Sequence, residues 1–188
     1  MDYSNYFWQG DQVRLRPYQA DDWERTYRES FDSPSRQVLQ LGVELPQSPE
    51  MAKAGLEKYT DCKDVNGVII FAIDSLDDQT VGSISFHSRN RKNGTFGFGI
   101  VIYREFWQHS YAEDAVRVLL RYCFQERRYQ KCNSACVHTN EASIALHKKL
   151  GFVQEGIRRR TAYFNGRFHD DVLFGITSEE FEQNDGRA

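Results

Sequence analysis

Three stretches of this chain combine residue types and spacings that could do chemistry. The first runs Ile100-Val101-Ile102-Tyr103-Arg104-Glu105-Phe106-Trp107-Gln108-His109-Ser110-Tyr111-Ala112-Glu113-Asp114-Ala115. A strand-like run passes through a short loop into a helical one. The first amides of such a helix have no partner within it and can hold a phosphate group. The second runs Asn140-Glu-Ala-Ser143-Ile-Ala-Leu-His147-Lys-Lys-Leu-Gly151-Phe152. Asn140 is placed to cap a helix, and Ser143 and His147, four apart, share one of its faces. The third, Tyr163-Phe-Asn-Gly-Arg-Phe-His-Asp170-Asp171, reads as a hairpin with an aromatic and charged tip. Taken singly, each has an ordinary structural reading: a connection, a capped helix with a solvated histidine, a turn.

The cysteines point away from metal chemistry. Only Cys132 and Cys136 are close, and four positions along a strand separate them by roughly 13 Å, too far to chelate one ion. Free thiols in a reducing cytoplasm are the expectation for all four, with no metal. The formal net charge of −3, with acids and bases interspersed, does not suggest a nucleic-acid partner. An anionic ligand would need a local cluster of donors. No apolar run approaches the ~20 residues of a membrane span, and Met1–Trp8 does not read as a signal peptide.

The elements that must position these stretches are legible in the pattern. The 188 residues suit one domain (1–188), with an N-terminal extension (1–11) and a short C-terminal helix and tail (177–188). Val13–Arg16 alternates and stops at Pro17, which suggests a strand. Asp21 and Glu24 form a capping-box pattern before a helix carrying Trp23, Tyr27 and Phe31. Ser48-Pro49-Glu50 starts another helix. Val68–Ile73, Val81–Phe86 and Thr95–Ile102 read as an antiparallel meander. From Ser110 the spacing becomes helical, with Val116, Leu119, Leu120, Cys123 and Phe124 as its apolar stripe. Lys131–His138 is a strand and Asn140–Leu150 a helix, closed by Gly151. Two strands joined by Asn165-Gly166 follow, then a short helix capped at Thr177–Glu180. A strand–helix–strand unit inside a largely antiparallel set implies a mixed sheet.

Together and in this order, these segments resemble the GNAT superfamily of N-acetyltransferases, from about Val13 to Ile176. The nearest branch looks like the one with ribosomal-protein N-terminal and polyamine acetyltransferases. The Val-Arg-Leu-Arg-Pro17 opening, Asn140-x-x-Ser143, Lys149-Leu-Gly-Phe152 and the Asn165-Gly166 hairpin carry the resemblance. It implies an α+β (α/β/α) fold whose mixed, mostly antiparallel sheet is splayed between the fourth and fifth strands. Acetyl-CoA would lie in that split and pass its acetyl group to an amine by direct attack in a ternary complex. Its pantetheine arm would pair with Ile100, Val101 and Ile102, where an amide can also polarise the thioester carbonyl. Its pyrophosphate would rest on the amides of Gln108, His109, Ser110, Tyr111 and Ala112, and Asn140 and Ser143 would contact its lower arm.

Two departures from the family pattern matter. The loop usually reads Gly-x-Gly, but here it is Gln108-His109-Ser110. Gln108 then implies a conventional backbone, and Ser110-x-x-Glu113 reads as a capping box competing with phosphate for the same amides, so weaker CoA binding is expected. His147 stands where tyrosine commonly protonates the departing thiolate. It could serve as the general acid in its charged form, or be a spacer. Glu29, Asp32, Glu44 and Asp170 are conceivable bases, as is ordered water. A non-catalytic acyl-CoA-binding module is the alternative, since altered loop and missing tyrosine would both mark one. The acceptor is open among protein N-termini, polyamines and other small amines. The aromatic N-terminus could cover a homodimer interface or pack on its own domain.

Overall fold

The computed structural model describes residues 3–39 and 41–185. Seven strands form one sheet: β1 (Val13–Pro17), β2 (Ile69–Ser75), β3 (Thr80–Asn90), β4 (Thr95–Ile102), β5 (Lys131–Val137), β6 (Val153–Phe164) and β7 (Arg167–Thr177). Their order across it is β1-β2-β3-β4-β5-β7-β6. Every neighbouring pair is antiparallel except β4–β5. That exception follows from the helix between them, α4 (Tyr111–Arg121), which carries the chain back across the sheet.

Alternation sorts the side chains onto two faces. One face of β1–β4 presents Val13, Leu15, Phe71, Ile73, Ile84, Phe86, Phe96 and Phe98 to the main core. Against it lies α4, burying Ala115, Val116, Val118, Leu119 and Leu120. A π-turn at Tyr122–Glu126 extends that helix and buries Cys123 and Phe124. Each large apolar side chain so buried contributes about 1.5–3 kcal/mol, which makes this stripe the main hold on the layer. Helix α5 (Glu141–Lys149) and α6 (Ser178–Asp185) also pack against this core, through Leu150, Phe152 and Phe181.

The other face is covered near β1 and β2 by α1 (Trp23–Glu29), α2 (Ser33–Val38) and α3 (Pro49–Leu56). Arg16 ties this layer down, with its guanidinium on both Asp22 and Asp74. Helix α1 does not start on the Asp21–Glu24 box expected from sequence. Asp22 accepts instead from the Gln19 amide at 2.7 Å, closing a short 3-10 turn ahead of the helix. Ser48 caps α3 at the Met51 amide as its Ser-Pro start implies. The Asn165-Gly166 turn has both residues at positive φ, 51° and 75°, the conformation a two-residue hairpin demands.

The aromatic N-terminus packs on its own domain. Trp8 stacks on Phe71 at 5.1 Å and contacts Tyr122 at 4.4 Å. The segment is fixed by a buried carboxylate on α4. Asp114 accepts from the amides of Asp11, Gln12 and Val13 at 3.1, 2.7 and 2.9 Å.

Candidate active site

The sheet opens where chemistry was anticipated. β4 pairs with β5 only at Thr95–Lys131, Phe96–Cys132 and Gly97–Asn133. Beyond Gly97 the two strands part, while β4 stays paired to β3 as far as Ile102. The Tyr103 amide donates to the Val81 carbonyl. Backbone groups of successive strand residues point to opposite sides, so Ile100 and Ile102 face the gap and Val101 faces β3. The Ile102 carbonyl accepts from the Trp107 indole at 2.8 Å, which pins the loop to the rim of the gap. Of the three residues expected along a pantetheine arm, Ile100 is therefore the one with both backbone groups turned to the opening.

The loop into α4 overturns two expectations. Gln108 does not take a conventional backbone: its φ is 67°, and that of Ser110 is 60°. Both adopt the left-handed conformation that glycine takes freely, at a cost of about 1–2 kcal/mol per side-chain-bearing residue. The expected Ser110–Glu113 capping box is also absent. Ser110 makes no side-chain cap bond, because a residue at that φ is turned out of capping geometry. Glu113 is held by Lys149 at 2.6 Å and Arg117 at 3.3 Å, so its charge is compensated. Gln108, His109 and Ser110 are exposed, and His109 stacks on Tyr111. The first-turn amides of α4, at Tyr111 and Ala112, keep their positive end of the helix dipole.

Asn140 caps α5, accepting from the Ser143 amide at 3.0 Å, and its amide nitrogen donates to the Val38 carbonyl at the end of α2. His147 is buried, 3% exposed. Its Nδ1 donates to the Ser143 carbonyl at 2.7 Å, and its Nε2 lies 2.8 Å from the Ser134 hydroxyl on β5. The ring stacks on Phe174 at 4.6 Å. Burial lowers its pKa, against the backbone bond to Ser143 that raises it. A neutral ring with both nitrogens engaged is poorly equipped to protonate a thiolate. Of the two roles open to His147, this geometry supports the spacer.

The four carboxylates considered as bases are all engaged. Glu29 pairs with Arg25 and Asp32 with Arg104. Glu44 pairs with Arg36, and Asp170 accepts from the Arg160 amide. Asp171, which closes the third stretch but is not one of these four, lies one residue on. Its side chain is buried beside Arg158 and lines a cavity of about 420 Å³ between β6, β7 and the loop after α2. Among the described residues, no group of three or more His, Cys, Asp and Glu side chains could hold a metal, and no helix is long and apolar enough to cross a membrane.

Comparison with known proteins decides the family. The acetyltransferase (GNAT) domain matches residues 12–153. The chain belongs to the GNAT acetyltransferases. This GNAT chain is 32% identical to an uncharacterized SPbeta prophage-derived N-acetyltransferase of Bacillus subtilis, across 96% of its own length and 98% of the relative's. Its fold matches a Vibrio cholerae spermidine N-acetyltransferase, solved with CoA and spermine, at TM-score 0.79 and 18% identity, covering 91% and 98% of the two chains. It also matches a ribosomal α-N-protein acetyltransferase at TM-score 0.74 and 17% identity, covering 89% and 91%. At those identities the two structures bear on fold alone. With the family they make the chain an α+β GNAT enzyme with a mixed sheet.

Proposed function

We propose that this GNAT enzyme transfers the acetyl group of acetyl-CoA to a primary amine, with both substrates bound at the β4–β5 split. The observation that carries the reading is the loop Gln108–Ser110. It holds a glycine-type backbone without glycines, and the use for that strain is a phosphate site on the following amides. In this reading the pyrophosphate rests on the amides from Gln108 to Ala112, and the pantetheine arm runs along β4 at Ile100. Asn140 and Ser143 border the lower arm through the start of α5.

The acceptor enters from the α1–α3 side, past the loop after α2 and the β6–β7 hairpin. An amine acceptor arrives protonated and loses a proton before attack on the thioester carbonyl. The tetrahedral oxygen takes a hydrogen bond from a β4 amide facing the split. The carbon–sulfur bond then breaks, and the thiolate is protonated. Protein N-termini and polyamines are both acceptors of this chemistry. A cytoplasmic setting is consistent with four free thiols. Release of free thiol from acetyl-CoA, followed across a panel of peptides, polyamines and small amines, tests the reading. Turnover on at least one class supports it, and binding without turnover on every amine refutes it.

A further inference from the structure

The face of β3 turned toward the α1–α3 side carries Ser83, Ser85 and His87 at alternate positions. Across the ladder they meet Val101, Gly99 and Gly97 of β4. The two glycines present no side chain there, and the imidazole of His87 lies in the room they leave. A Cβ at Gly97 would stand 3.1 Å from His87 Cε1 and 3.3 Å from Nδ1. A Cβ at Gly99 would stand 3.0 Å from Ser85 Oγ and 3.8 Å from His87 Nε2, so the ring borders that position and fills the one at Gly97. Gly97 is also the last residue of β4 paired with β5. The ring is thus held over the point where the split opens, on the side from which an acceptor enters.

This placement is built into the strand. The β3–β4 ladder is interrupted after His87 and resumes only at Asn90–Thr95. Within the interruption Ser88 sits at φ 51°, a left-handed angle that costs a serine stability. A bulge of this kind re-aims the neighbouring side chain, and bulges recur beside active sites. The Ser88 hydroxyl lies 2.9 Å from His87 Nδ1 and fixes the ring. Burial pushes the imidazole below its ordinary value of 6.5, and a backbone hydrogen bond to Phe98 opposes that. The ring is therefore neutral near pH 7 and carries a lone pair.

We propose that His87 takes the first proton from the acceptor amine, directly or through one water. This rests on the acetyl-transfer reading above. The ammonium gives one proton to the imidazole, and the freed nitrogen lone pair forms the bond to the acetyl carbon. The carbon–sulfur bond breaks with its electron pair on sulfur. The second proton lost by nitrogen ends on that thiolate, and the imidazolium returns its proton to solvent. One acetyl-CoA and one ammonium thus yield amide, CoA thiol and a proton.

The test is the pH profile of kcat/KM for an acetylated amine, in the wild type, His87→Asn and His87→Ala, with acetyl-CoA calorimetry on each. The expected fall in the variants is about 100-fold or more at pH 7, since a positioned base contributes on that order. Acetyl-CoA affinity is unchanged, the wild type's acidic limb at or below pH 6.5 is lost, and added imidazole partly restores the Ala variant. Variants that keep wild-type rate and the acidic limb overturn the assignment. So does a wild-type profile without that limb, even if neither variant folds. A wild type that acetylates no amine removes the acetyl-transfer reading and this one together. Unimpaired variants remove only His87.

Discussion

Gln108 and Ser110 hold backbone angles of 67° and 60° that their side chains penalise, and the loop between Trp107 and α4 keeps them nonetheless. Because the amides, not the side chains, would meet the pyrophosphate, Ser110→Gly is expected to leave acetyl-CoA affinity unchanged by calorimetry. Ser110→Pro removes an amide and forbids positive φ, so it should lose at least about tenfold in affinity. This part of the site was illegible in the sequence, because glutamine and serine, unlike glycine, asparagine or proline, say little about φ. His147 was legible as a position but not as an environment: nothing in Asn140–Phe152 says that Ser134 and Phe174 close over it. For His147→Phe, maximal rate is expected to hold across pH 6–9. The Ser134 hydroxyl loses its partner, and stability should fall by about 1 kcal/mol in urea unfolding. The pKa of His147 is depressed in the folded state, so the unfolded chain binds the extra proton first. Its contribution is complete above about pH 6.5 and is lost as pH falls below that, so the wild type should be less stable at pH 5.5 than at 7.5. His147→Phe should flatten part of that slope.

Among the elements, α4 and its junctions carry most of the architecture. Its apolar stripe was readable from the 3.6-residue period, and all five residues picked out by that period are buried. The Asn165-Gly166 hairpin and the Thr177–Glu180 cap were readable for the same reason: each is a local rule with few solutions. The Thr177 hydroxyl accepts from the Glu180 amide and the Glu180 carboxylate from the Thr177 amide, a reciprocal box. What the sequence hid is the long-range cap on the N-terminal segment. Asp114 is separated from Val13 by about a hundred residues, so no local pattern links them. Three amides on one buried carboxylate make it costly to remove. Asp114→Ala is expected to lose at least about 3 kcal/mol by urea unfolding, since bonds to a charged group contribute about 1.5–3 kcal/mol each. A loss near zero would mean that the first strand is held by β2 alone.

At the scale of the whole molecule, one sheet lies between two helical layers, and among its described strands it parts between β4 and β5. The mixed sheet followed from the order of elements. The opening itself came only with the family resemblance, because no residue type marks where two parallel strands diverge. In the proposed function donor and acceptor would reach that opening from different sides, dividing the work between the two layers. In the proposed reaction α4 and its loop would hold the CoA, and the α1–α3 side with the β6–β7 hairpin would admit the amine. The most direct measurement is therefore free-thiol release from acetyl-CoA across an amine panel, with mass spectrometry of the acceptors for an added acetyl group. The expected result is thiol release matched one to one by an acetylated amine. Saturable acetyl-CoA binding with no thiol released by any amine would contradict it.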